Sequence, residues 1–235
     1  MNAFEFLSNL SAPVCLFCGR VLAHQKSSPS EYFSFAYHVC HSCLTRLPYK
    51  PYSEQISSCV QHDETPNPIL AITAMRYEEP IASALRTLKF REGLHFAPIL
   101  SFIMYKALQA SAATFDAVIP IPLSPKRRQT RGYNQAEILA SPIARRLGIP
   151  LLNTFLVRSR NTAQQSRFQD PMKRAQNISG AFEVPDECCV DGLKILLVDD
   201  VLTTGFTLQE AATTLLSAGA TMVVALTAAS RRILE

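Results

Sequence analysis

The stretch Lys194-Ile195-Leu196-Leu197-Val198-Asp199-Asp200-Val201-Leu202-Thr203-Thr204-Gly205-Phe206-Thr207 constrains the fold more than any other. An apolar run of strand length ends in two adjacent carboxylates. A turn rich in Thr and Gly follows, and then a helical pattern. Ligands of open α/β sheets bind at the carboxyl ends of strands. A helix N-terminus offers free N–H groups and partial positive charge to an anion. Gly205 lets backbone approach the ligand closely, and Thr203, Thr204 and Thr207 add hydroxyls. The acids would repel a phosphate. They suit sugar hydroxyls instead, or Mg²⁺ through its waters. A phosphate on one side and a diol on the other describe a ribose 5-phosphate. The competing reading, a surface turn in which Asp and Thr only cap a helix, leaves the ordered strand–turn–helix context unexplained.

The rest of the chain agrees with such a fold. Its 235 residues are 48% hydrophobic, enough for one α/β domain and a small appendage. Strand patterns fall at 69–77, 117–121, 151–157, 193–198 and 221–228. Several are continuous apolar runs, as in strands buried on both faces of a parallel sheet. Helical patterns fall at 80–90, 97–109, 135–147 and 207–218, with Gly148 and Gly219 placed to end the last two. Strand–helix alternation predicts a doubly wound, mostly parallel sheet over residues 69–235. Residues 49–68, with Pro51, Pro66 and Pro68, read as a linker. No run approaches the roughly 20 apolar residues of a membrane span. The N-terminus lacks the marks of a signal peptide, so the expected location is cytoplasmic, without membrane insertion.

Residues 1–48 carry four of the seven cysteines, as Cys15-Leu16-Phe17-Cys18 and Cys40-His41-Ser42-Cys43 with 21 residues between. Disulfides are rare in the cytosol. Two paired knuckles in a segment too small for its own core predict a structural Zn²⁺ on Cys15, Cys18, Cys40 and Cys43. Cys59 with His62 leaves a second site open. The aromatic residues Tyr32, Phe33, Phe35 and Tyr37 between the knuckles read as a small core.

The net charge is only +4, so nucleic acid is neither demanded nor excluded. The cations cluster, however. The strand pattern Val118–Leu123 leads into Lys126, Arg127, Arg128 and Arg131, and then into a helix with Asn134 as N-cap. Arginine suits multidentate phosphate contacts. Read alone, this cationic loop fits a solvated turn, a nucleic-acid patch or a second phosphate site. Beside a ribose-phosphate loop, pyrophosphate becomes the better assignment.

Taken together, the acid pair with its Thr-Gly loop resembles the 5-phosphoribosyl-1-pyrophosphate (PRPP) signature of type I phosphoribosyltransferases. The set Leu88-Lys89-Phe90, Pro122-Leu123, Arg131-Gly132-Tyr133-Asn134-Gln135, Thr162, Gln165, Arg174-x-x-Asn177, Phe182 and Asp199–Thr207 is similar to the ComF family. Those are competence and DNA-utilisation proteins with a phosphoribosyltransferase domain. The resemblance spans about 77–231. It implies a type I phosphoribosyltransferase-like sheet behind a small N-terminal zinc ribbon, and PRPP bound with Mg²⁺. Asp199, Asp200 and Arg131 would be the catalytic set. Lys89, Arg127, Asn134, Gln135, Thr203, Thr204, Gly205, Phe206 and Thr207 would contact substrate. It also implies that the polar segment 158–177 closes over the site. Thr203 stands where 6-oxopurine enzymes carry an acid, which speaks against hypoxanthine or guanine as acceptor. Two roles stay open: a pentosyl transferase, or a non-catalytic single-stranded-DNA-binding or adaptor protein of DNA uptake with a helicase-like partner.

Overall fold

A computed structural model describes residues 13–22, 38–56, 68–159 and 180–232. Tyr32, Phe33, Phe35, Tyr37, Cys59, His62, Thr162, Gln165, Arg174 and Asn177 lie outside the described residues. The chain divides into two compact units, Met1–Pro48 and Tyr49–Glu235.

In the first unit, Val14 and Val21 pair antiparallel across the turn that carries Cys15 and Cys18. A single helical turn, α1 (His41–Leu44), carries Cys43, with Cys40 as its N-cap.

The second unit is built on a five-stranded sheet. Its strands are β1 (Tyr49–Ile56), β2 (Ile69–Arg76), β3 (Ala117–Pro120), β6 (Lys194–Leu202) and β7 (Met222–Ser230), in the order β1-β2-β7-β6-β3. β2, β7, β6 and β3 run parallel, and β1 pairs antiparallel at the edge. β4 (Val157–Arg158) and β5 (Phe182–Glu183) form a separate two-stranded ladder. The helices are α2 (Ile81–Thr87), α3 (Ala97–Leu108), α4 (Pro125–Arg131), α5 (Gln135–Leu147) and α6 (Phe206–Ser217). Ile195, Leu197, Val223 and Ala225 pack with Leu208, Ala211 and Leu215 of α6. Their neighbours Leu196, Val198, Val224 and Leu226 are equally buried and by strand alternation face the other side. There α3 packs on β2 and β7, and α5 on β6 and β3. The sheet is therefore covered on both faces, as its unbroken apolar strands require.

Three expectations are corrected. The stretch read as a linker opens with strand β1; Pro51 sits where the register with β2 shifts, an edge position and an irregularity that tolerate a missing N–H. The rest of that stretch, 57–67, is outside the described residues. The run 151–157 is no strand of the sheet. Only Leu151 bridges to Val118, a turn at Asn153–Thr154 follows, and Val157 begins β4. The cationic loop is largely a helix, α4, opened by Pro125 in its first turn and closed by Gly132 at φ 80°.

Candidate functional site

β6 carries the acid pair to its C-terminal end. Asp200 is buried, and its Oδ2 has no hydrogen-bond partner among the described residues. Lys89 Nζ stands 4.0 Å from that oxygen, an attraction beyond hydrogen-bond length. The Asp200 N–H donates to Asp199 Oδ1 over 2.8 Å. Burial, and then the charge of Asp200, pushes the Asp199 carboxyl well above the usual carboxylate range. The chain turns through Thr203 and Thr204 to Gly205, the N-cap of α6 at φ 89°. A side chain there would be strained by that φ and would press on Ile56 of β1 at 3.4 Å. Thr204 Oγ1 is buried with no partner among the described residues. Phe206 packs its ring into the core, so it offers a ligand only its backbone N–H, with Thr207 beside it at the start of α6.

Lys89 lies in a tightly fixed turn. Tyr133 Oη donates to Leu88 O over 2.8 Å. Gly93 packs so closely that a Cβ would lie 2.1 Å from the Thr87 carbonyl carbon. The Arg131–Gln135 element joins two helices. Arg131 Nη1 donates to Gln135 Oε1. Asn134 Nδ2 donates to Ile121 O over 2.9 Å, and its Oδ1 accepts from the Ala136 N–H over 3.1 Å. Both polar atoms of Asn134 therefore bind the end of β3 to the start of α5. Gln135 likewise has Arg131 on its Oε1.

Arg127 is half-buried. Burial and then the neighbouring Arg131 lower its pKa, while the charge of Asp200 opposes them. A cation absent from the expected set joins this group. Arg158 of β4 is 8% exposed. Its guanidinium lies 5.3 Å from the Phe182 ring centroid, across the β4–β5 ladder. Burial, then Arg127, brings its pKa down to about 10, against the pull of Asp199. Lys89, Arg127 and Arg158 thus converge on the acid pair, and the arginines repel each other. Such a cluster is set for an anion. Arg158 stood in a basic run of the sequence, but no local pattern ties it to Asp199, 41 residues on in the sequence.

In the N-terminal unit, the thiols of Cys15, Cys18, Cys40 and Cys43 all lie within 4.8 Å of one another. Cys18 Sγ and Cys40 Sγ are 3.7 Å apart. A tetrahedral zinc with Zn–S bonds of ~2.3 Å spaces its sulfurs by about 3.8 Å, so the group fits the ion. The Cys40 N–H points at Cys15 Sγ over 3.3 Å, and the Cys43 N–H at Cys40 Sγ over 3.4 Å, which suits thiolates. Burial pushes the Cys15 thiol up, but N–H groups of Cys40, Phe17 and Cys18 outweigh it and hold the thiol at about 6.

A parallel sheet covered on both faces, with an acid pair at a strand end leading into a glycine-capped helix, defines a phosphoribosyltransferase-type domain. In agreement, residues 134–234 match the Phosphoribosyl transferase domain family. Competence protein F of Haemophilus influenzae is 32% identical over 75% of this chain and 77% of its own length. DNA utilization protein YhgH of Escherichia coli is 33% identical over 65% of this chain and 68% of its own. The chain belongs to the competence protein F (ComF) family. Glutamine PRPP amidotransferase from Bacillus subtilis superposes with a TM-score of 0.42 at 20% identity, over 61% of this chain and 30% of that one.

Proposed function

We propose that the α/β domain binds PRPP with Mg²⁺ as a pentosyl-transferring protein of competence or DNA utilisation, and that the Cys₄ module holds one structural Zn²⁺. The observation that carries the PRPP reading is Asp200 Oδ2, a buried carboxylate oxygen with no hydrogen-bond donor among the described residues. Leaving such an atom unsatisfied costs about 1–3 kcal/mol or more, so it calls for a bound partner such as a ligand or ion. Ribose hydroxyls or the waters of Mg²⁺ are donors of the right kind. Asp199 and Asp200 would hold them. The N–H groups opening α6 and the hydroxyls of Thr203, Thr204 and Thr207 would hold the 5-phosphate. Lys89, Arg127, Arg131 and Arg158 would hold the pyrophosphate. Mg²⁺, when bound, neutralises part of the pyrophosphate charge. The protein's share of catalysis is then orientation of the anomeric carbon and electrostatic support of the leaving group. Asn134, by contrast, acts as scaffold for the β3–α5 junction.

The relatives carry names from competence and DNA utilisation, and we place this chain in the same cytoplasmic work. Isothermal titration of the full chain with PRPP and Mg²⁺ tests the reading. Asp199→Asn with Asp200→Asn should abolish binding while amide hydrogen exchange in β6 and β7 stays slow. Wild-type affinity in that variant sinks the ribose assignment. Binding of single-stranded DNA but not PRPP would install the adaptor reading, with or without a helicase-like partner.

A further inference from the structure

Outside the acid pair, the described residues line an open cleft of about 210 Å³ at the ends of β2 and β7. Lys50 and Tyr52 of β1 line it, with Arg76 and Tyr77 from the end of β2 and Arg231 and Arg232 just after β7. Glu78 and Ser230 complete the wall. The cavity belongs to the same sheet edge as the acid pair. The Tyr77 N–H donates to Ser230 O over 2.8 Å, and the Arg231 N–H to Leu202 O over 2.9 Å. The ends of β2, β7 and β6 are thus hydrogen-bonded side by side. Neighbouring strands are ~4.8 Å apart, so one or two spacings separate the cavity from β6.

Its charge is lopsided. Arg76 pairs with Glu78 at 3.2 Å, and Arg232 with Glu54 at 2.8 Å. Lys50 and Arg231 form no ion pair among the described residues. Arg231 lies over the Tyr77 ring, its guanidinium carbon 4.2 Å from the centroid. The ring holds the guanidinium in place, and arginine is the side chain that meets a carboxylate with two parallel N–H bonds. Tyr52 Oη is buried and has no hydrogen-bond partner among the described residues. An arginine held over a tyrosine ring and a lysine without an ion pair among the described residues line a space the size of a single ring.

We propose that this cavity is the acceptor subsite and that it takes a small planar carboxylic acid. The inference rests on the PRPP reading, which puts the ribose over Asp199 and Asp200. In the transfer, a nucleophilic nitrogen or oxygen of the acceptor forms a bond to ribose C1′. The C1′–O bond to pyrophosphate breaks, pyrophosphate leaves with the electron pair, and the acceptor's proton passes to water. Arg231 and Lys50 hold the carboxylate and so orient the nucleophile. Open strand ends in α/β sheets are where such crevices form.

Orotate and uracil are suitable probes, one ring with and without a carboxylate. On the full chain, orotate should bind at least tenfold more tightly than uracil, measured by titration with and without PRPP and Mg²⁺. Arg231→Gln and Lys50→Gln should each remove most of that preference and leave PRPP affinity within twofold of wild type. Equal binding of the two probes, or a preference that survives in Arg231→Gln, overturns the subsite. Loss of PRPP binding in wild type with the orotate preference intact would overturn the PRPP reading and leave the carboxylate pocket standing.

Discussion

Leu22, Val39 and Leu47 are the aliphatic side chains that the described part of the N-terminal unit buries, beside Cys15 and Cys40. The α/β domain buries whole strands: every residue of β3, and all of β7 but Met222. Among the described residues the first unit buries little apolar area, and its sulfurs crowd together. The other has a core between a sheet and helices on both faces, and it can leave Asp200 Oδ2 unsatisfied within it. The lesson is about tolerance. A module built round the zinc proposed here would have its functional atoms as its structural atoms. A core-built domain keeps the two apart, so its site can be changed without losing the fold.

The sharpest way to break this contrast is to deny the module the zinc proposed for it. Structural zinc sites contribute about 10–16 kcal/mol of apparent binding free energy to folding. A strong chelator, or Cys40→Ser, should therefore melt the segment from Cys15 to Leu47 outright. Amide exchange in β6 and β7 should not move. Metal analysis of the wild type should find one zinc per chain. Metal content near zero with a protected knuckle would mean that the module has a core of its own.

Two glycines sharpen the contrast at smaller cost. At Gly93, a Cβ would meet the Thr87 carbonyl carbon at 2.1 Å, backbone against backbone. Gly93→Ala should cost about 3 kcal/mol, as severe overpacking does, and displace the turn that holds Lys89. At Gly19 in the first knuckle, φ is 68° but nothing lies within 4 Å of a Cβ. Gly19→Ala should cost only about 1–2 kcal/mol, the strain of a left-handed residue. Thermal melts of the zinc-loaded protein check both. Equal losses would mean that close packing does not limit the α/β domain.

The sequence made the two units unequally readable as well. Helix α5 falls where its caps demand, from Asn134 to Gly148, because capping is local chemistry. β6 and its acid pair were legible for the same reason: strand, turn and helix are contiguous. The strand β1 was hidden because Pro51 and its alternating exposure look like a linker until β2 supplies a partner. Helix α4 was hidden because Lys126, Arg127 and Arg128 bury no apolar face; only Pro125 and Gly132 marked its ends. Arg158 was unreadable because its partners, Phe182 and Asp199, are brought to it by tertiary folding alone.

The cation cluster tests whether site and scaffold are separable. Arg127→Ala with Arg131→Ala should weaken PRPP by about 1.5–3 kcal/mol, the size of a charge-assisted contact, or roughly ten- to a hundredfold. Ribose 5-phosphate lacks the pyrophosphate, so its affinity should hardly change. The fold should hold, because α4 has no buried residue, at the small cost of the Arg131–Gln135 hydrogen bond. Unchanged PRPP affinity would transfer the loop to another ligand; a shallower salt dependence of single-strand binding in the same variant would identify nucleic acid as that ligand.

The smallest effect runs against intuition, because removing a site residue should stabilise the fold. Burial and the charge of Asp200 raise the Asp199 pKa. A carboxyl with a folded pKa above its unfolded value stabilises the fold fully below the unfolded pKa. That contribution is lost as pH rises through the folded pKa. At neutral pH the folded state thus holds Asp199 under strain, and an amide of the same shape is free of it. Asp199→Asn should be more stable than wild type near neutrality by about 0.5–2 kcal/mol, as stability–function trade-offs run. Below the ordinary aspartate range both chains are neutral at this position, and the difference should vanish. Amide exchange in β6 and β7 at the two pH values reads this without involving the zinc module. Reduced stability of Asp199→Asn at neutral pH would show that Lys89 and Arg158 outweigh the burial. The acid pair would then be part of the scaffold, and the separation between site and core would fail where it matters most.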